Sequence, residues 1–111
     1  MADNDVVVLL CTTPKDLGQS IADPLLEERL IACVNFVGPV RSRYVWQGAI
    51  EESEELLLVM KSTRERLPAL RARLAALHPY DVPELLELDA IGGLEPYLQW
   101  VRASVAPADR P

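Results

Sequence analysis

One histidine, two cysteines and a surplus of carboxylates are the side chains of this 111-residue chain that suit metal binding or proton transfer. His78 lies in "LHPYDVPEL", after a leucine pattern of helical spacing and directly before Pro79. Imidazole suits copper, zinc and nickel. A histidine in the last turn of a helix also interacts well with the helix C-terminus, by about 0.3–1 kcal/mol when protonated. Metal ligand and helix-ending residue are therefore both open for His78. Cys33, in "CVN", shares a face with Asn35 if its strand alternates, and as a thiolate it favours soft ions such as Cu(I). Cys11 ends an apolar run and reads as a small buried hydrophobe. A tetrahedral metal site needs three or four protein ligands, so one histidine and two distant cysteines need carboxylates or a second subunit to complete it.

Other chemistries find less support. The absence of a CxxC pair removes zinc-ribbon and thioredoxin readings. No glycine-rich phosphate loop and no G-x-S-x-G elbow occur, so no enzymatic activity is expected. The run Glu51-Glu52-Ser53-Glu54-Glu55 follows a turn signal and reads as a solvated face, because the glycine and spacing of a calcium loop are missing. A net charge of -6 disfavours nucleic acid, whose affinity comes largely from Lys and Arg on phosphates. The apolar runs are too short to span a bilayer. The opening "MADNDVVVLL" has no basic n-region and reads as a first strand, and with two reduced thiols a cytoplasmic protein is expected.

The elements that must position these groups follow from the apolar periodicity. Residues 6–11 form a β-branched run that suits a buried strand. Thr12-Thr13-Pro14 has the composition of a helix start, and Leu17, Ile21, Leu25 and Leu30 give a stripe that Pro24 should kink or end. Residues 31–37 and 40–46, the turn Gln47-Gly48 and residues 49–61 make a long hairpin with a bend or bulge at Gly38-Pro39. Residues 64–77 are the clearest helix, with Leu67, Leu70, Leu74 and Leu77 on one face. Residues 83–91 form a last strand and residues 95–104 a closing helix with Pro96 in its first turn. The order is that of a single α+β domain over residues 1–111, a ferredoxin-like βαββαβ sandwich with a long central hairpin and a C-terminal helix. Residues 1–5 and 106–111 are expected to be flexible ends. Leu56 to Met60 are apolar on both alternating faces, so both faces of the sheet need cover and self-association is expected.

The stretches "ERLIACVNFV", "SRYVWQGAIEESEELLLVMKS", "LHPYDVPELLEL" and "PYLQWV" together resemble the CutA divalent-cation-tolerance proteins over nearly the whole chain. That resemblance implies a tight homotrimer of PII-like architecture and a role in tolerance of copper and other divalent cations. Copper, or a similar divalent cation, is then the expected ligand. A cleft between subunits would gather His78 and Cys33 with an acid such as Glu84 or Glu52. Trp46, Lys61 and Tyr97 match positions the family retains and look like a pocket at a subunit boundary. Ala49 stands where many relatives have lysine, and Gly38-Pro39 and Pro24 also depart from the common pattern. The alternative reading is a PII-like signalling or interaction module whose inter-subunit clefts take a small molecule or a protein.

Overall fold

The computed structural model describes residues 5–107. Its elements are β1 (Val6–Pro14), α1 (Gly18–Glu27), β2 (Cys33–Trp46), β3 (Ala49–Thr63), a short 3-10 turn (Arg64–Arg66), α2 (Leu67–Leu77), β4 (Leu86–Asp89) and α3 (Glu95–Val105). The four strands form one antiparallel sheet in the order β2-β3-β1-β4. This is the expected ferredoxin-like arrangement. The parts of the expected flexible ends at residues 1–4 and 108–111 lie outside the described residues. Asp5 is tied to the fold, its carbonyl accepting the Arg64 N–H at 3.0 Å.

Side-chain alternation divides the sheet into two faces. Val7, Leu9 and Cys11 of β1 stand opposite Ser62, Met60 and Leu58 of β3. All six are buried, and the apolar ones pack with Ile21 and Leu25 of α1 and Leu67, Leu70 and Leu74 of α2. The opposite face carries Val59 and Leu57 beside Leu10 and Thr12. There α3 packs on β3 and β1 and buries Val101 and Val105. The doubly apolar stretch of β3 is thus covered on both sides at its C-terminal half.

Three local expectations are corrected. Thr12-Thr13-Pro14 does not start a helix: these residues continue β1, paired with Leu57, Leu56 and Glu55, because two β-branched residues beside a long partner strand gain more from the ladder than from capping. Pro24 does not end α1. The helix runs on to Glu27, and Glu28 N–H donates to the Pro24 carbonyl at 2.9 Å. The end is instead a Schellman-type turn, with Arg29 N–H to Leu26 O, Leu30 N–H to Leu25 O and Arg29 at φ 58. The last strand is four residues long and not nine, which leaves one edge of β1 without a strand partner beyond Leu10.

The hairpin dominates the shape. Its register shifts between Val37 and Val40, and Gln47 (φ 50) and Gly48 (φ 82) form a two-residue turn with the positive φ angles that hairpin twist favours. Pairing of β3 with β1 stops at Glu55, so residues 40–54 project as a two-stranded arm and the molecule measures 49 × 26 × 23 Å. No helix of the described residues is long and apolar enough to cross a membrane.

Candidate functional site

The free edge of β1 is completed by side chains. Where β4 would have continued past Leu86, the segment 78–85 approaches Thr12 instead. His78 Nε2 lies 2.8 Å from the Thr12 carbonyl oxygen, while Nδ1 is 3.2 Å from the Tyr80 backbone N–H. A backbone N–H can only donate, so Nδ1 accepts and Nε2 carries the proton that Thr12 O receives. The ring is 6% exposed and stacks obliquely on Tyr80, with centroids 4.6 Å apart. His78 follows α2 as its C-cap residue, its N–H donating to Leu74 O. It therefore ends the helix as one reading held, and its ring pins the following loop to the sheet.

Two carboxylates meet beside this point. Glu55 is 5% exposed and accepts the Tyr80 hydroxyl at 2.7 Å. Glu84 has a raised pKa, first through burial and then through the Glu55 charge, with a hydrogen bond from Thr12 opposing. Burial first and the Glu55 carboxylate second lift the Tyr80 phenol above its usual range. Burial, with Glu84 and Glu55, pushes the Cys11 thiol up to about 12. Cys11 is thus the inert, protonated core thiol that its place in the sequence implies. A cleft of about 810 Å³ opens over this group between the hairpin arm and residues 79–84, with Arg41, Tyr44 and Trp46 on the arm side.

Residues 6–104 match the CutA1 divalent ion tolerance protein family. The chain belongs to that family. The chain is 46% identical over 96 residues to the divalent-cation tolerance protein CutA of Thermus thermophilus, covering 86% of this chain and 93% of that protein. It is 45% identical to the CutA of Pectobacterium atrosepticum, covering 91% and 93%. The crystal structure of CutA from Xylella fastidiosa superposes with a TM-score of 0.87 at 36% identity, over 91% of this chain and 98% of that one. The Thermus thermophilus structure does so with 0.86 at 45% identity, over 89% and 97%. The ferredoxin-like, PII-like fold of CutA structures is therefore the fold of this chain.

Within this CutA frame the expected site residues fall into separate places. His78 and Glu84 are brought together at Thr12. Cys33 opens β2 opposite Lys61, four β3 residues beyond Leu57, the partner of Thr12. At ~3.3 Å per residue, that separates Cys33 from Thr12 by roughly 13 Å along the strand. The Cys33 thiol is 3.6 Å from the Tyr97 hydroxyl, which raises the Tyr97 pKa, and Lys61 donates to Asn35 Oδ1. Trp46, paired with Ala49, is twelve residues from Lys61 along β3, on the order of 40 Å. A single chain thus joins Lys61 and Tyr97 around Cys33 but leaves Trp46 at the far end of the hairpin. Glu52 lies on the arm, bonded to Arg43 at 2.9 Å. Among the described residues, no three His, Cys, Asp or Glu side chains stand together as a metal would require.

Glu55 is the residue that sequence reasoning missed. The reading of residues 51–55 as a solvated face holds for Glu51, Glu52 and Glu54, which are exposed, but Glu55 is buried. Its position two residues before Leu57 is the available signal, since that spacing puts it on the sheet face that α3 covers further along β3.

Proposed function

We propose that this chain acts in tolerance of divalent cations as a homotrimer in the cytoplasm, binding copper or a similar divalent cation without enzymatic activity. The observation that carries the assembly is the projecting arm. A lone two-stranded ribbon is marginal in water, yet this one leaves Val45 74% and Ile50 69% exposed, with Tyr44 and Trp46 also partly bare. At the other sheet edge Leu86 and Leu88 of β4 are half exposed. Two different apolar edges on one chain suit a head-to-tail contact, which closes into a ring when the rotation between neighbours divides a full turn. Cys11 and Cys33 are both free thiols, as a reducing compartment would keep them.

For the metal, His78 and Glu84 are the ligands we assign to one subunit, because both converge on Thr12. Cys33 and Glu52 lie on the β2–β3 hairpin, the element a neighbouring subunit would present, but Glu52 is nine β3 residues, roughly 30 Å, from the Cys33 partner Lys61, so a neighbour would bring one of them to this site and not both. Coordination through Nδ1 would displace the Tyr80 N–H, which keeps affinity modest. The test is Cu(II) titration of the metal-free protein followed by electron paramagnetic resonance. A mass three times that of one chain, saturable binding and imidazole nitrogen coupling are expected, and with a single histidine per chain that coupling can only come from His78. Glu84→Gln should weaken binding at least tenfold, about 1.4 kcal/mol. Binding without nitrogen coupling would remove His78 from the ligand set, and absence of saturable binding would refute the metal reading.

A further inference from the structure

We infer that the sheet face beside the start of α3 binds a small organic monocarboxylate, its carboxylate held by Lys61, Asn35 and Tyr97 and its apolar body lying against Trp100. The inference does not rest on the metal reading, because it uses neither His78 nor Glu84 and is complete within one chain. Lys61 of β3 stands directly opposite Cys33 of β2, and Asn35 is two residues on from Cys33, so all three share the face that α3 covers. Lys61 donates to Asn35 Oδ1. An ammonium can only donate, so Oδ1 is the atom turned towards it and the two hydrogens on Asn35 Nδ2 point elsewhere. From α3 the Tyr97 hydroxyl closes the group, 3.6 Å from Cys33 Sγ. The remaining ammonium hydrogens, the Asn35 amide hydrogens and the hydroxyl–thiol pair make a cluster rich in donors, and such a cluster suits an oxyanion.

An anion is what the surroundings of Lys61 lack. Acids outnumber basic residues by 17 to 11 in this chain, yet among the described residues none pairs with Lys61. The acids of β4 and α3 are engaged elsewhere: Glu87 with Arg71, Asp89 with Arg64 and Glu95 with Arg102. Glu55, the nearest acid along β3, is six residues away, roughly 20 Å. Lys61 is half-buried, beside Val8 and Val59 on the same face, so its charge is less well hydrated than a surface one and gains more from a counter-ion. A single cation matches a monocarboxylate. A phosphate ester, which carries up to about two charges at neutral pH, would leave one unmet. The rings select the body of the ligand. Tyr97 and Trp100 lie one turn apart on α3 with centroids 5.7 Å apart, and they stay 44% and 46% exposed. From Lys61 to Trp100 each residue neighbours the next, through Cys33 and Tyr97, so a carboxylate on a short arm reaches from the donors to an aromatic face that is still open.

The experiment is calorimetric titration of the assembled protein, in chelator-treated buffer, with 3-phenylpropionate and with the uncharged 3-phenylpropan-1-ol. Saturable binding of the acid is expected, with no saturable heat from the alcohol. Asn35→Asp sets a carboxylate against Lys61 from an exposed position of nearly the same shape, and it should weaken binding of the acid at least tenfold. Lys61→Met, which keeps an apolar stem on the sheet, should do the same, and Trp100→Leu should weaken binding at least threefold. Size and thermal unfolding of each variant are measured alongside, and Asn35→Asp decides alone if Lys61→Met does not fold. No saturable binding of the acid, as when a neighbouring subunit covers the cluster, overturns the inference. So does equal binding of the alcohol, or binding of the acid that Asn35→Asp leaves unchanged.

Discussion

Replacing His78 by alanine tests whether the ring is a structural part. Its Nε2–H satisfies the Thr12 carbonyl at 2.8 Å on an edge of β1 that β4 does not reach. A buried acceptor left without its donor costs about 1–3 kcal/mol. The tilted contact with the Tyr80 ring adds about 0.5–1.5 kcal/mol. The Tyr80 N–H belongs to an exposed residue and can turn to water, so its loss adds little. Together these give a destabilisation of roughly 2–4 kcal/mol. Urea unfolding at one fixed chain concentration measures it, because the stability of an oligomer depends on concentration. Amide exchange should quicken in residues 79–85 before it quickens in α2. A loss below about 0.5 kcal/mol, the range of an ordinary surface change, with exchange unchanged, would refute the structural role and leave metal binding as the stronger account of His78.

Three further outcomes are expected. Glu84 and Glu87 should respond to pH with opposite signs. The raised pKa of Glu84 means its contribution is full below the unfolded value, about 4.3, and is lost as pH rises through the folded value. Glu84→Gln should therefore gain on the parent protein as pH rises from 4 to 7. The Arg71 guanidinium, bonded at 2.6 and 2.7 Å, lowers the pKa of Glu87, whose contribution is present above about 4.3 and lost in acid. Glu87→Gln should fall behind at neutral pH and draw level in acid, and two variants of the same sign in urea unfolding would contradict the assignment. In thiol labelling with iodoacetamide, Cys11 should stay unmodified until the protein unfolds, since it is buried and its thiol is pushed up to about 12; native labelling of Cys11 seen by peptide mass would refute this. Val45→Glu with Ile50→Lys places charge on the arm, and native mass spectrometry should then show single chains while the helical bands of the circular dichroism spectrum are kept; an intact assembly would mean the arm tip is not buried between subunits.

Most of the fold was legible because its signals are local. The β-branched run of β1, the Gln47-Gly48 turn and the leucines of α2 each state their element without reference to any partner. The misread boundaries are those decided by a distant strand. Thr12 and Thr13 are good cap residues, and only the length of β3 makes them strand. Pro24 breaks one helical hydrogen bond, yet α1 keeps Ile21, Ala22 and Leu25 buried against the sheet, and that packing carries the helix past it.

The site was less legible for the same reason. His78, Glu84 and Cys33 stand out by residue type, but whether they meet depends on where β4 stops and how far β3 runs. A strand pairing only as far as Leu86 leaves the Thr12 carbonyl for a side chain, and the residue that ends α2 is the one within reach. Glu55 was hidden by its neighbours, since three exposed acids precede it in the same run. It is also the last β3 residue paired with β1, opposite Pro14, so it sits where the sheet ends and the arm begins. A carboxylate held at that junction accepts the Tyr80 hydroxyl on one side and meets an open cleft on the other.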